Sequence, residues 1–317
     1  MAPSITTLLA SIGAIYTTAR ILTFFRTLNR LLLHRSTLSR YISSNTSTPS
    51  WALITGASDG VGKGFAQELL ERGFNVLLHG RNKAKLEALQ TTFQEAYPAR
   101  TISIAIADAS SYEVADLDKI AQQVSSLPDG GRLRVLINNV GGAGAVIGKP
   151  ICHTFAEMTG NEVDTLINVN ARFPARLTNA LMPVLTQSPS LIINIGSMAG
   201  QASLPYLVMY NAVKAFNLSF STGLAEEMKY QGHDVQVIGV VLGPTDTVGA
   251  PAAEPDTPGS LEPRVAAAGI LDGVGNGEAL IDAHWKHWGM RAISTMVPQS
   301  AVSKQMHESY LKTQKKV

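Results

Sequence analysis

Residues 51–66 read WALITGASDGVGKGFA. The apolar run at 52–55 has the length of a short buried strand, and residues 63–72 carry a helical pattern that stops at Gly73. Between them Gly56, Gly60 and Gly62 are spaced G-x-x-x-G-x-G. Such a turn serves one of two ends. It is a backbone device for reversing the chain, or it lets an anionic ligand reach the unpaired N–H groups of a helix N-terminus without meeting a Cβ. It is not a Walker loop, because Lys63 follows Gly62 with no G-K-[ST]. Ser58 and Val61 belong to the same loop and are candidate contacts, while Asp59 adds negative charge beside it.

Outward from this stretch, strand-like and helix-like runs alternate. Apolar strands are expected at 75–79, 101–107, 134–138, 191–195 and 235–242. Helices are expected at 83–96, 113–125, 161–186 and 210–230. Continuous apolar strands alternating with amphipathic helices indicate an α/β fold, a single-domain Rossmann-type doubly wound parallel sheet. Residues 249–263 are rich in Ala, Pro and Gly and read as a loop. The region 248–290 is expected to serve as a substrate loop or lid within a catalytic domain spanning 51–317. With that organisation, the glycine loop comes after the first strand and opens the first helix, where a pyrophosphate is favoured.

The second strand ends His79, Gly80, Arg81, Asn82. An acidic residue there would accept from a ribose 2′-hydroxyl and repel a 2′-phosphate. Arg81 instead offers a planar fork suited to phosphate, which favours NADP(H) as the cofactor; the plainer reading is a solvated arginine.

Residues 193–214 read INIGSMAGQASLPYLVMYNAVK. Tyr210 and Lys214 are four apart and share a helix face. An ammonium beside a phenol stabilises the phenolate, so the pair is suited to handing a proton to a carbonyl oxygen. Ser197 comes just after an apolar strand, and its hydroxyl is placed to hold the same oxygen. A lone Y-x-x-x-K is commonly a surface pair. The strand-borne serine and the upstream glycine loop make this one a catalytic candidate.

With those residues in place the sequence resembles the short-chain dehydrogenase/reductase family over residues 51–248. The family's glycine motif falls on Gly56, Gly60 and Gly62. Its N-N-A-G motif falls on Asn138, Asn139, Val140 and Gly141, with valine for alanine. The resemblance implies that Asn170, Ser197, Tyr210 and Lys214 are catalytic, with Asn170 holding a water that connects Lys214 to solvent. It implies that Asp108 lies near the adenine, that Asn138 and Asn82 border the cofactor, and that Thr245 and Thr247 meet its carboxamide or pyrophosphate. Within the family, the wording of 51–66 and of INVNARFPARLTNALMPVL (167–185) is similar to the microsomal 3-ketoacyl-CoA reductases and related 17β-hydroxysteroid dehydrogenases.

That similarity implies an NADPH-dependent ketoreductase acting on a hydrophobic acyl or lipid-like ketone. A steroid-type or polyketide-type ketone is the alternative substrate, and a catalytically silent nucleotide-binding scaffold the non-enzymatic one. Met198, Leu204, Tyr206 and Met209 are suited either to a lipid-chain site or to ordinary packing. Trp285 and Trp288 either cap a pocket, anchor at an interface or pack. The family's habit implies a homodimer or homotetramer.

Charge sets the remaining bounds. The net charge of +2 offers no global case for nucleic-acid binding, and the single cysteine, Cys152, precludes an internal disulfide and a thiolate metal cluster. No metal site is expected. The first acidic residue is Asp59, preceded by Arg20, Arg26, Arg30, Arg35 and Arg40. Residues 4–25 are long enough to span a bilayer if Arg20 snorkels. Ile21, Phe25, Leu28 and Leu32 also form a stripe suited to a membrane surface. An Arg-rich, acid-free segment equally suits a mitochondrial presequence. The resemblance favours the endoplasmic reticulum membrane with the catalytic domain in the cytosol. Residues 1–50 are thus expected to be an anchor or targeting segment. Residues 43–50 (SSNTSTPS) would be a linker, and the folded domain would begin near Trp51.

Overall fold

The structure is a computed structural model that describes residues 4–44, 48–111, 113–247 and 259–314. The chain runs α1 (Ile5–Leu33), β1 (Ser50–Thr55), α2 (Gly60–Glu71), β2 (Asn75–Gly80), α3 (Lys83–Ala96), β3 (Ile102–Ile106) and α4 (Val114–Ser125). It continues β4 (Arg132–Asn138), α5 (Gly160–Ile167), α6 (Phe173–Leu185), β5 (Ser190–Ile195), α7 (Val208–Tyr230) and β6 (Val235–Val241). It closes with α8 (Pro263–Asp272), β7 (Leu280–Asp282), α9 (Trp285–Ser294) and α10 (Gln299–Gln314). The seven strands form one sheet in the order β3-β2-β1-β4-β5-β6-β7, every neighbouring pair parallel.

Strand residues alternate between two cores because side chains alternate across a sheet. Ala52, Ile54, Val76, Leu78, Ile137 and Ile193 pack with Phe65 and Leu69 of α2, Phe93 of α3 and Ile270 of α8. Leu53, Leu77, Leu136, Ile192 and Val237 pack with Ile120 of α4, Leu177 of α6 and Met228 of α7. Both faces are covered, which is why the strands read as unbroken apolar runs. The strand order reverses between β1 and β4, so the carboxyl ends of those two strands form the crevice where ligands bind in such sheets.

Two boundaries differ from the sequence reading. The folded unit begins well before Trp51. Leu38 and Tyr41 are buried in the first core. The Tyr41 hydroxyl donates to Gln236 Oε1 at 2.8 Å, and the Ser36 hydroxyl donates to the Leu271 carbonyl at 2.6 Å. Arg40 pairs with Asp234 at 2.7 Å. The polar and basic residues around Leu38 and Tyr41 hid this docking segment. Truncating Leu38 should cost about 2–5 kcal/mol, the usual range for a buried leucine.

The second difference concerns 248–290. Residues 248–258 lie outside the described residues. From Pro263 onward the chain builds sheet and core rather than lid: α8 packs on α2, β7 extends the sheet, and Ala267, Ile270, Leu271, Val274 and Ile281 are buried.

Candidate active site

The glycine loop is built as its spacing requires. Gly56 has φ +65°, a left-handed conformation open to glycine. A Cβ on Gly62 would stand 2.1 Å from the Gly56 carbonyl oxygen, so strand end and helix start touch through bare backbone. Asp59 caps α2, its carboxylate accepting from the Gly60 N–H at 2.7 Å. Val61 is buried, Ser58 half-buried.

Asn139, read from sequence only as part of the N-N-A-G motif, fixes this loop. Its Nδ2 donates to the Thr55 carbonyl at 3.0 Å and to the Gly56 carbonyl at 3.2 Å. Thr55 Oγ1 reciprocates by accepting from the Asn139 and Val140 N–H groups at 2.9 and 3.0 Å. The side chains thereby lock the ends of β1 and β4 together at the crevice. Its neighbour Asn138 is placed elsewhere. Its Nδ2 donates to Thr178 Oγ1 at 2.9 Å and Asn194 Oδ1 at 2.8 Å, and Asn194 continues to Ser221 at 3.0 Å. The Asn138 side chain therefore belongs to a buried polar ladder from β4 to α7. The side chain of the last residue of β4 thus points into the protein, so any contact of Asn138 with a cofactor would be through its backbone.

At the carboxyl ends of β2 and β3 an open cleft of about 800 Å³ is lined by Arg81, Asn82, Asp108 and Asp116. Asn82 caps α3, its Oδ1 accepting from Lys85 N–H at 3.0 Å. Asp108 Oδ1 accepts from the Ser110 N–H and hydroxyl at 2.9 and 2.8 Å. Below them His79 is buried and stacked on Phe173, centroids 5.0 Å apart. Burial lowers its pKa from 6.5 to about 4.

The segment after β6 approaches the glycine loop from the other side. Thr247 Cγ2 would lie 3.0 Å from a Cβ on Gly60. Thr245 Oγ1 donates to the Gly243 carbonyl at 3.2 Å.

Ser197, Tyr210 and Lys214 come together at the carboxyl end of β5. Ser197 starts a 3-10 turn at Met198–Gln201, its Oγ accepting from Ala199 N–H at 3.1 Å. A Cβ on Gly200 would sit 2.6 Å from the Lys214 carbonyl carbon, so this turn lies directly on α7. Burial holds the Tyr210 phenol above its ordinary pKa, and a hydrogen bond with Ser197 pulls it back. Lys214 is buried, which lowers it from 10.5 to about 8, and its Nζ donates to the Ile195 carbonyl at 2.9 Å. The ammonium lies 5.7 Å from the Tyr210 ring centre. Ser197 is thus the side chain that acts on the phenol hydroxyl, while the lysine ammonium faces the ring.

Asn170 is fully buried in a π turn, Asn168–Arg172, that joins α5 to α6. Its Nδ2 donates to the Gly142 and Leu166 carbonyls, each at 3.0 Å, and its Oδ1 accepts from Gly142 N–H at 2.9 Å. A Cβ on Gly141 would lie 2.6 Å from Asn170 Oδ1 and 3.1 Å from Lys214 Nζ. Asn170 therefore pins 141–142 against the lysine. Both its amide hydrogens are engaged within the chain.

A sequence model of the short chain dehydrogenase family matches residues 50–257. The very-long-chain 3-oxoacyl-CoA reductase of Neurospora crassa is 34% identical over 235 residues, covering 73% of this chain and 66% of the relative. Its counterpart in Pyricularia oryzae is 31% identical over 254 residues, covering 79% and 73%. The chain thus spans about two thirds of the length of the curated relatives it matches. A solved short-chain dehydrogenase from Sphingobium yanoikuyae, in complex with NADPH, superimposes with a TM-score of 0.63 at 27% identity, covering 78% of this chain and 95% of that one. With its glycine crevice, its Ser197–Tyr210–Lys214 cluster and its parallel sheet order, the chain belongs to the short-chain dehydrogenase family.

Proposed function

We propose that the protein is an NADPH-dependent ketoreductase that reduces the 3-keto group of a long acyl thioester to a hydroxyl. The observation that carries the reading is the convergence of Ser197, Tyr210 and Lys214 beside the glycine crevice. The crevice suits a dinucleotide: Gly56 and Gly62 leave room only for bare backbone, and the cleft at Arg81 takes a further charged group. Arg81, with Asn82, would hold the 2′-phosphate, and the 56–62 backbone the pyrophosphate. Thr245 and Thr247 would border the nicotinamide end. When bound, the dihydronicotinamide supplies a hydrogen with its electron pair to the carbonyl carbon.

The chain's own residues supply the rest. Ser197 hydrogen-bonds the carbonyl oxygen and orients it. Tyr210, held protonated by burial, donates its proton to that oxygen as negative charge develops there. Lys214, still cationic below about pH 8, stabilises the phenolate left behind. Asn170 keeps the 141–142 backbone against Lys214, and a water held at this place would return the proton.

The acyl substrate is supported by the names of the fungal relatives and by α1. Ile5–Phe25 is exposed, 21 residues long and apolar enough to cross a membrane. At about 1.5 Å per residue it matches a hydrocarbon core of roughly 30 Å. Arg20 donates to the Tyr16 hydroxyl at 3.0 Å, and Ser11 and Thr23 bond back to carbonyls of their own helix, so these polar groups are partnered internally. Placement in the endoplasmic reticulum, with the catalytic domain in the cytosol, belongs to the same proposal. So does self-association through α6 and α7, where Phe216 and Phe220 stack on the exposed side of α7.

The test titrates purified full-length protein with NADPH and monitors its oxidation on a long-chain 3-ketoacyl-CoA, with Tyr210→Phe alongside. Turnover by the wild type and its loss in Tyr210→Phe with NADPH binding retained is the expected result. Wild-type protein that binds NADPH but reduces no ketoacyl thioester overturns the reading.

A further inference from the structure

Tyr206 lies four residues before Tyr210 and takes no part in the proton transfer. Its backbone is left-handed, φ +65°, in a residue that carries a bulky side chain. That conformation is unfavourable for an L-amino acid with a Cβ and persists only where its surroundings over-determine it. Three separate contacts do so. The Tyr206 carbonyl accepts from the His153 N–H at 3.2 Å, in the loop after β4. The Tyr206 ring stacks on Tyr310 of α10, centroids 4.2 Å apart and planes within 3°. Its hydroxyl shares a hydrogen bond with His307 Nδ1, one turn earlier on the same helix.

Two further contacts extend the clasp. Gln299 at the start of α10 donates to the Ser203 carbonyl. The Tyr310 phenol faces the Glu157 carboxylate, returning to the loop after β4. On the inner side, Asn211 Nδ2 donates to the Leu204 carbonyl at 2.8 Å, tying the same loop to the first turn of α7, which carries Tyr210. The loop between Ser197 and Tyr210 is thus clasped from outside by α10 and from beneath by the catalytic helix.

The manner of holding points to movement. No residue of α10 from Gln299 to Lys312 is buried, and Leu311 is exposed. The helix is fixed by stacking and hydrogen bonds to one loop rather than by a core, which places it among the elements that open locally at low cost. Around the clasp, Ile151, Phe155 and Val208 are exposed apolar side chains, and Met198, Leu204 and Met209 are half-buried. Met198, Leu204, Val208 and Met209 lie within the segment that joins Ser197 to Tyr210.

We propose that Tyr206 and Tyr310 form an aromatic wall at the entrance to the Ser197–Tyr210 pair. α10 closes this wall over the alkyl chain, which makes Tyr206 a specificity-determining residue for chain length. The proposal rests on the ketoacyl reading of the active site. It assigns the final helix a role in binding substrate rather than in building the sheet.

The test uses full-length protein in detergent or nanodiscs and compares kcat/KM on long-chain and short-chain 3-ketoacyl-CoA. The variants are Tyr206→Leu, Tyr310→Ala and the stack-preserving Tyr206→Phe and Tyr310→Phe. NADPH affinity, read by fluorescence titration, shows that each variant is folded. The expected result is a fall of about tenfold in the long-to-short ratio for Tyr206→Leu and Tyr310→Ala, carried by KM, with recovery in the Phe variants. Hydrogen exchange across residues 299–314 should slow when a long-chain 3-hydroxyacyl-CoA binds wild type, and not in Tyr310→Ala. A ratio that stays at the wild-type value in both disruptive variants overturns the wall while leaving the ketoreductase reading intact. Wild type that turns over neither thioester overturns the ketoreductase reading first, and the wall with it.

Discussion

His287 holds Gly243 edge-on: its Nδ1 accepts the Gly243 N–H at 3.1 Å, while its Nε2 meets the Pro244 carbonyl at 3.1 Å. An acceptor at Nδ1 and a carbonyl at Nε2 fix one tautomer, neutral with the proton on Nε2. The ring is fully buried, and a Cβ on Gly243 would meet it at 2.5 Å. α9 thus positions the segment that carries Thr245 and Thr247 to the glycine loop. His287→Leu removes both bonds and leaves the Gly243 N–H buried without a partner, costing about 1–3 kcal/mol. NADPH binding should weaken by about tenfold with a smaller change in kcat. Equal NADPH affinity for variant and wild type, measured by fluorescence titration, would separate His287 from the cofactor segment.

Much of this architecture was legible because the decisive residues lie close together in sequence. The strand at 191–195, Ser197 and the Tyr210–Lys214 helix are one continuous stretch, and the glycine loop sits inside another. The features that escaped the sequence depend on distant partners. His287 reads as a lone histidine between two tryptophans, and its use appears only when α9 packs on the loop after β6. Leu38 and Tyr41 sit in a basic segment whose apolar positions are too few to show a period. The Asn138–Asn139 pair was visible, but alternation along β4 decides which amide faces the core and which the glycine loop, and that depends on where the strand ends.

The Gly62 position admits no side chain. A Cβ there stands 2.1 Å from a backbone oxygen and 2.6 Å from Asn139 Nδ2, so neither neighbour is a flexible tip that can swing away. Gly62→Ala should separate β1 from α2 and break the Asn139 bond to Gly56. NADPH affinity is expected to fall by at least about tenfold, with a loss of roughly 1–3 kcal/mol in stability. Calorimetric titration with NADPH reads the first effect, and unchanged affinity would contradict the cradle.

Arg81 supplies the cationic fork in the cleft at the ends of β2 and β3, which Asp108 and Asp116 also line. Removing the fork leaves two carboxylates against the single cation Lys83 in the cleft lining, a net negative setting that favours a 2′-hydroxyl over a 2′-phosphate. Arg81→Ala should therefore weaken NADPH about tenfold or more while leaving NADH within a few-fold. Parallel titrations with the two dinucleotides check this. Equal losses for both would assign Arg81 a general rather than a phosphate-specific role.

In the proposed reaction Lys214 should set the alkaline limit. Burial lowers it to about 8, so it is charged below that pH and loses its proton above it. Tyr210 is raised by the same burial and remains a proton donor over that range. The rate of ketone reduction should be level below about pH 8 and fall by about tenfold per unit above it. Lys214→Arg, slower but permanently charged, should lose this limb or move it well upward. A limb at the same pH in both proteins would assign it to another group.

Stability should begin to fall with acid from about pH 6.5. His79 is buried with neither ring nitrogen hydrogen-bonded to another side chain, and its pKa drops from 6.5 to about 4 on folding. The unfolded chain therefore binds the proton first. Stability is fully present above pH 6.5 and is lost as pH falls from 6.5 toward 4. Over that window the loss approaches about 3 kcal/mol. His287, also lowered by burial, adds to it with the same sign. Glu162, held down near 2 by the Thr159 N–H and Lys149, contributes only below its ordinary value of 4.5. Urea unfolding at a series of pH values should show this slope in wild type. His79→Leu should reduce the slope between pH 6.5 and 4.5 whatever it does to absolute stability, and an identical slope in the variant would clear His79 of the effect.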